Sequence, residues 1–274
     1  MNGTVSTLSI VFMAAAGVLS VCFPVALFVY FRRKKGADIL PFFVGCAVML
    51  LFAFVLESLA HSVVLGSPAG AAIRGNVWLY ALYGGLMAGL FEETGRYLAF
   101  KTVLKKSLSN NANALMYGAG HGGFEAIVIL GITSINNIAW SVMINSGSTG
   151  AITGALSGDA LAQAEAAFSQ LITTSPALFL LGGVERVLAI ILHIALSVLV
   201  WFAVKKSRIQ LFLLSIFCHF FIDAVTVLLS GFGLNALIIE CAIAVITAVI
   251  VVISRKAASG AVSDDDSALS EYCD

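Results

Sequence analysis

Two adjacent glutamates and an arginine lie within one helical turn of each other inside an apolar run. In the segment 91–96, with sequence FEETGR, Arg96 follows Glu92 by four positions and Glu93 by three. Both offsets place the guanidinium on the same helix face as a carboxylate, so Arg96 can pair with either one. A carboxylate that the arginine does not hold is available as a general base. This spacing therefore indicates acid–base chemistry.

Two further apolar runs each place a histidine four residues before a carboxylate. One pair is His121 and Glu125, and the other is His219 and Asp223. A carboxylate at this offset can hold one ring nitrogen and leave the other for a metal ion or a proton. Four glycines also surround the first histidine, namely Gly118, Gly120, Gly122 and Gly123. Such glycines permit close helix packing or the close approach of a substrate backbone.

The composition indicates that lipid is the main solvent of this chain. Of its 274 residues, 60% are hydrophobic and only 11% are charged, whereas a soluble domain carries about 25% charged residues. The net charge is +0 and no basic patch extends beyond short clusters, which excludes nucleic acid as a partner. The five cysteines form no CxxC motif, which favours small core residues over a disulfide framework or a thiolate metal site.

Seven apolar runs are long enough to cross a bilayer as helices. They cover residues 7–31, 38–63, 77–100, 112–132, 177–204, 209–230 and 234–253. A helix needs about 20 residues to span the hydrocarbon core, and open strands cannot satisfy their backbone groups there. We therefore predict an all-α, polytopic membrane helix bundle with about seven transmembrane helices. Residues 1–256 form a single transmembrane domain, and 257–274 form a disordered acidic cytoplasmic tail.

The basic residues predict the orientation of these helices. They cluster after the first, third, fifth and seventh runs, at residues 32–35, 101–106, 205–208 and 255–256. The loops on the opposite side contain only one basic residue, Arg74. The positive-inside rule then places the N-terminus outside and the C-terminus in the cytoplasm. The loop from 133 to 176 is external, and its segment 159–171 can form a short helix on the membrane surface.

Twelve ionisable side chains lie inside the predicted spans, away from the ends of the runs. They are Glu57, Glu92, Glu93, Arg96, His121, Glu125, Glu185, Arg186, His193, His219, Asp223 and Glu240. A charge at the centre of a membrane helix costs about 2.5–3.5 kcal/mol, so these groups must pair, bind a ligand or line water. Glu93 and the three histidines lie 8 to 15 residues from the nearest basic cluster. This separation is roughly 12–23 Å along a helix, a shared layer in the cytoplasmic half of the bilayer.

Three motifs in this order resemble those of the type II CAAX prenyl endopeptidases, also called the CPBP or Abi group. That group carries EExxxR, FxxxH and HxxxN/D on successive membrane helices. Here the motifs are Glu92-Glu93-x-x-Arg96, Tyr117-x-x-x-His121 and His219-x-x-x-Asp223. The arginine is one residue nearer to the glutamates than in that group, and a tyrosine replaces the usual phenylalanine.

The segments EETGRYLAF and GHGGFEA, together with HxxxD, resemble the YhfC family of bacterial membrane proteins over nearly the whole chain. The PrsW proteases are a more distant relative. The resemblance implies an intramembrane endopeptidase of the bacterial inner or plasma membrane, which hydrolyses a membrane-embedded or membrane-proximal peptide by a glutamate-activated water. It assigns catalytic roles to the matching residues, which are Glu92, Glu93, Arg96, His121, His219 and Asp223.

Members of this superfamily are usually described as metalloproteases, so a divalent metal ion, in particular zinc, is expected. His121 and His219 are then the ligands, and Glu125, Asp223, Glu92 or His193 completes a three-ligand site with one position for water. In that arrangement Glu93 acts as the base while Arg96 holds Glu92. Without a metal, Glu92 or Glu93 activates the water alone, and the histidines stabilise the oxyanion.

Other readings of the same residues stay open. A buried polar network can serve only helix packing, and a non-catalytic scaffold subunit resembling the gamma-secretase Aph component is the main alternative. The intact Glu92–Glu93 pair favours the enzyme. A proton transporter is a weaker reading because no inverted repeat is visible. Glu57 and His61, near the outer end of the second run, are interpreted as a local i, i+4 pair.

Overall fold

The computed structural model describes residues 3–259, and these residues are almost entirely helical, with no strand among them. The all-α prediction is therefore confirmed. The helices are α1 (Thr7–Lys34), α2 (Leu40–Gly66), α3 (Pro68–Arg74), α4 (Val77–Lys101), α5 (Ala112–Asn145), α6 (Gly150–Thr153), α7 (Gly158–Thr173), α8 (Pro176–Lys205), α9 (Ile209–Gly231) and α10 (Ala236–Ser259). A 3₁₀ turn, Lys105–Ser109, follows α4. The predicted tail from 260 onward lies outside the described residues, and 257–259 complete α10.

Each of the seven predicted apolar runs coincides with one long helix. Six of these helices are long and apolar enough to cross a membrane, namely α1, α2, α5, α8, α9 and α10. The remaining one, α4, has 25 residues and carries Glu92, Glu93 and Arg96, which lower its hydropathy. The fold is thus polytopic, while the count of seven spans stays a prediction.

Two of the long helices contain a π-helical segment. In α2 it covers Met49–Glu57, and in α5 it covers Ile127–Ile132. The predicted end of the fourth run at residue 132 is wrong, because α5 continues to Asn145. The continuation packs apolar side chains into a core, with Ile144 buried and Ile138 and Trp140 packed against it.

Residue contacts divide the described chain into two units. The smaller one comprises residues 3–22 and 126–187. Its core is formed by five buried apolar side chains, Val5, Met13, Ile144, Phe168 and Leu171. The Asn145 amide ties the N-terminal segment into this core by hydrogen bonds of 2.8 and 2.9 Å with the backbone of Val5. The helix predicted over 159–171 is present as α7 and contributes two of the core residues.

The larger unit comprises residues 23–125 and 188–259, and close packing of α4 against α9 organises one side of it. A methyl group added to Gly85 would lie 2.5 Å from the carbonyl oxygen of Phe220, and one added to Gly89 would lie 2.9 Å from that of Ile216. Only hydrogen side chains allow the two backbones to approach so closely. The glycines thereby bring the segment after Gly89 beside the middle of α9.

The glycine-rich segment of α5 packs in the same way against α8 and α2. A methyl group at Gly118 would lie 2.5 Å from the Cα atom of Ile194 in α8. On the α2 side, a methyl group at Gly120 would lie 2.0 Å from the carbonyl oxygen of Phe42. The glycines that the sequence places around His121 therefore serve close helix packing.

We expect Gly120→Ala to destabilise the protein, because its new methyl group meets backbone and cannot be relieved by a side-chain rotation. Overpacking of this kind costs about 1–3 kcal/mol, which should lower the thermal unfolding midpoint in detergent by several degrees. Gly84→Ala is the matched control, since a methyl group there meets no atom within 4 Å. Equal midpoints for the two variants would contradict the packing described here.

Candidate functional site

Six ionisable side chains meet inside the larger unit. Glu92, Glu93 and Arg96 come from α4, and His121, His193 and His219 come from α5, α8 and α9 respectively. None of them exposes more than 7% of its surface. The structure thus brings together the two glutamates, His121 and His219, as the shared depth along the helices predicts.

Arg96 and Glu93 form a buried ion pair at one side of this cluster. The Nη1 atom of Arg96 donates to Oε1 of Glu93, and Nη2 lies 3.2 Å from Nδ1 of His193. The same Glu93 oxygen is 2.8 Å from Nδ1 of His219. Glu93 is therefore the carboxylate that Arg96 holds, whereas the metal-bound arrangement proposed from sequence assigns Glu92. Both offsets lie on one helix face, so the sequence alone cannot choose between them.

Glu92 is the carboxylate that faces all three histidines. Its Oε2 atom lies 2.9 Å from Nε2 of His121 and 3.7 Å from Nδ1 of His193. Its Oε1 atom lies 3.9 Å from Nε2 of His219. The ring of His193 is central among the three, with centroids 5.0 Å from His121 and 5.5 Å from His219.

Three of these residues fit a divalent metal ion. Glu92, His193 and His219 each offer one ligand atom, and these atoms all lie within 4.8 Å of one another. Two imidazoles and one carboxylate are the protein ligands of many catalytic zinc sites. The donor set and its burial therefore match what a metal ion requires.

Carboxylates on the far side of both histidines support this fit. Oε2 of Glu125 lies 2.8 Å from Nε2 of His193, and Oε1 of Glu93 lies 2.8 Å from Nδ1 of His219. The other nitrogen of each ring, Nδ1 of His193 and Nε2 of His219, is the one nearest Glu92. Metal-binding histidines typically show this arrangement, because the carboxylate fixes the tautomer and the ring orientation.

His121 lies beside this group and makes different contacts. Its Nε2 atom meets Glu92, its Nδ1 atom is buried without a hydrogen-bond partner among the described residues, and its ring stacks on Tyr117 at 5.7 Å. The sequence names His121 and His219 as first ligands and His193 as a possible third, whereas the group that the structure brings together contains His193 and His219 with Glu92. The signal for His193 in the sequence is its depth, which matches that of the other two histidines.

Of the two i, i+4 pairs that the sequence predicts, His219 and Asp223 are in contact, whereas His121 and Glu125 contact residues of other helices. Glu125 hydrogen-bonds His193 on α8, while His121 contacts Glu92 on α4. Asp223 lies at the edge of the cluster with 37% of its side chain exposed, and its Oδ2 atom is 3.5 Å from Nε2 of His219. Contacts across helices are thus added to the contact of His219 with Asp223 along α9.

The predicted pair of Glu57 and His61 is present on α2. Nε2 of His61 lies 3.2 Å from Oε1 of Glu57, and Nδ1 lies 2.8 Å from the hydroxyl of Tyr83 on α4. The interpretation as a local i, i+4 pair is confirmed, with a tyrosine as third member.

Comparison with known proteins assigns the family. The sequence profile of the YhfC intramembrane metalloprotease family matches residues 19–247. This chain belongs to the YhfC family. A relative from Bacillus subtilis (strain 168), described as an uncharacterized membrane protein YhfC, is 38% identical over 247 residues, which is 89% of this chain and 94% of that protein. No solved structure matches the chain.

The family assignment agrees with the geometry of the site. The matched residues 19–247 include every member of the buried cluster, and the family's description names both a membrane location and a metal-dependent hydrolase. Together with six apolar helices of spanning length, it identifies this YhfC family member as a multi-pass membrane protein.

Proposed function

We propose that this chain is an intramembrane endopeptidase that hydrolyses a peptide bond with a water activated by Glu92 and a divalent metal ion. The observation that carries the proposal is the buried group of Glu92, His193 and His219, whose ligand atoms lie within 4.8 Å of one another. A buried charged cluster in a membrane protein is a functional site by default, because it is expensive to maintain for packing alone.

The metal would be held by His193, His219 and Glu92, and zinc suits two imidazoles and a carboxylate best. Bound there, it would polarise the peptide carbonyl and lower the pKa of a water from 15.7 to about 7. The protein contributes the orientation of the ligands. His219 donates its Nδ1 proton to Glu93, and His193 donates its Nε2 proton to Glu125, so Nε2 of His219 and Nδ1 of His193 are the ring nitrogens that would bind the ion. A bound ion would replace the contact between Nδ1 of His193 and Nη2 of Arg96, which are 3.2 Å apart.

Glu92 is also the residue that we propose accepts a proton from the attacking water, through the carboxylate oxygen that does not hold the metal ion. Its Oε2 atom is fixed by Nε2 of His121 at 2.9 Å, so the carboxylate is oriented before a substrate arrives. Arg96 neutralises the adjacent Glu93, so Glu92 is the carboxylate of the pair that lies nearest Nε2 of His121 and Nδ1 of His193. The proton then passes from Glu92 to the departing amine, which completes the hydrolysis.

The substrate class that fits this site is a polypeptide segment embedded in or next to the membrane. The site residues lie on helices of membrane-spanning length, and Glu93 precedes the basic residue Lys101 by eight positions. The positive-inside pattern then supports a site in the cytoplasmic half of a cell membrane. Scissile bonds should therefore lie in the part of a substrate span that is nearer the cytoplasm.

Mapping of new peptide termini in membranes tests the proposed function. Cells that express this chain should accumulate termini inside the membrane spans of substrate proteins, towards the cytoplasmic end. Cells that express the Glu92→Ala/Glu93→Ala variant at equal level should lack them, because both carboxylates of the site are gone. Identical termini in the two samples would contradict the peptidase and favour a non-catalytic scaffold.

A further inference from the structure

A cavity in the larger unit lies apart from the candidate metal-binding group, which consists of Glu92, His193 and His219. It occupies about 460 Å³ between the end of α4, the 3₁₀ turn that follows it, and the connection from α8 to α9. Ligand pockets typically begin at about 300 Å³. The residues that line it are Tyr97, Lys101, Lys105, Leu108, Ala203, Val204, Ser207 and Ile209. No acidic residue is among them.

Two lysines give this cavity a positive charge. Lys101 lies over the ring of Tyr97, with Nζ 5.5 Å from its centroid. Within the described part of the chain, neither Lys101 nor Lys105 forms an ion pair with a carboxylate. Their charges are therefore available to an anion, and the hydroxyls of Tyr97 and Ser207 add hydrogen-bond donors at the same cavity.

The backbone conformation of Ser207 gives a second reason to expect a function at this cavity. Its φ of 52° lies in the left-handed region, and it is alone in this among the described residues other than glycine. It lies two residues after Lys205, the last residue of α8, and the following Arg208 N–H donates to the carbonyl oxygen of Ala203 at 2.9 Å. Glycine is the usual residue at this position of a helix end. A serine in its place is strained, and strain of this kind is typically retained where the side chain has a function.

We propose that this cavity binds a phosphate group, held by Lys101, Lys105 and the hydroxyl of Ser207. The phosphate can belong to the headgroup of an anionic phospholipid or to a free phosphate ion. The headgroup is favoured because basic pockets between membrane helices bind anionic lipids. The binding is independent of the proposed peptide cleavage, since no residue of the metal-binding group lines the cavity.

Thermal unfolding of the purified full-length protein in neutral detergent tests this site, because a ligand of the folded state raises the unfolding midpoint. Three ligands are titrated separately: short-chain phosphatidylglycerol, phosphatidylcholine with the same acyl chains, and inorganic phosphate. Saturable stabilisation by phosphatidylglycerol alone assigns the site to a lipid headgroup. Saturable stabilisation by inorganic phosphate assigns it to the free ion, and either result supports the phosphate site.

Three variants locate the binding. Lys101→Gln/Lys105→Gln, which alters two exposed side chains, should raise the apparent Kd at least about tenfold. Arg33→Gln/Lys34→Gln removes the same charge from another basic cluster and should change the Kd by less than about twofold. Ser207→Gly should keep or raise the midpoint without ligand, because it relieves the left-handed strain, yet raise the Kd a few-fold.

The proposal would be overturned by equal weakening in the two double variants, because the effect would then be one of general charge. Unchanged affinity in Ser207→Gly would show that the hydroxyl does not contact the phosphate and that the strained backbone of Ser207 has no role in binding. Stabilisation by phosphatidylcholine equal to that by phosphatidylglycerol would overturn the anionic-headgroup site, because a zwitterionic lipid with the same acyl chains would then bind as well.

Discussion

Replacement of Glu92 by glutamine is expected to lower the rate of peptide cleavage by about 10³-fold. Glutamine has the shape of the glutamate but cannot accept a proton, and general base catalysis typically contributes about 10²–10⁴-fold. Nε2 of His121, 2.9 Å from Oε2 of Glu92, can still meet the amide oxygen, so the fold should be retained. The measurement is the initial rate for a substrate found by terminus mapping, with purified protein in liposomes.

A matched control for this variant is Glu165→Gln, which alters an exposed glutamate on α7. Its rate should equal that of the parent protein, while the unfolding midpoints of both variants should stay within a few degrees of the parent. Glu92→Gln with a rate within about threefold of the parent would remove Glu92 from the role of base.

Loss of bound metal is the second large effect that we expect, in His193→Ala and His219→Ala. Each variant removes one of three protein ligands, and catalytic zinc sites generally need three such ligands. Metal analysis of the purified parent should find about one equivalent per chain, and the two variants should retain little of it. His121→Ala should keep the metal, because His121 contacts Glu92 and lies outside the group of three.

Two further variants test which histidines bind the metal. Glu125→Gln weakens the hydrogen bond that orients His193 and should reduce metal affinity about 10–100-fold without abolishing binding. His61→Ala, in a histidine that pairs with Glu57 and Tyr83 instead, should leave the metal content unchanged. Metal lost in His121→Ala and kept in His193→Ala would instead support His121 and His219, the ligand pair that the sequence favours.

Metal-free parent protein that still cleaves substrate after chelation would contradict the metal-dependent mechanism but leave the peptidase in place. In that case Glu92 activates the water unaided, and His121, His193 and His219 act as hydrogen-bond donors to the oxyanion. Because Glu92 is also one of the three proposed ligands, the metal content of Glu92→Gln must be measured beside its rate, and a slow variant that keeps its metal assigns the loss to the base.

Hydropathy by itself determined the long helices of this protein. Each of the seven apolar runs coincides with one, because a chain in lipid must satisfy its backbone hydrogen bonds within its own segment. Hydropathy misplaces the end of α5, which continues to Asn145 through a stretch that mixes polar and apolar residues. Ile144 is buried there in a core with Met13 and Phe168, and contacts between residues so distant in the sequence leave no trace in hydropathy.

The sequence also determined which residue types occupy the site and that they share a depth. Glutamates and histidines at similar distances from the basic loops could be read without knowledge of helix packing, because the rise per residue of a helix is constant. The resemblance to the YhfC family, based on the motifs around Glu92, His121 and His219, is confirmed by the family match over residues 19–247.

Only the tertiary structure decided which carboxylate meets which histidine. Glu93 pairs with Arg96 and His219, Glu92 faces His121, and Glu125 holds His193 from a neighbouring helix. Offsets of three and four residues fix the face of one helix, but pairing across helices depends on how each helix is rotated and how closely it packs. In this protein, glycines that allow one backbone to approach another set that packing, and the residues they bring into contact are distant in the sequence.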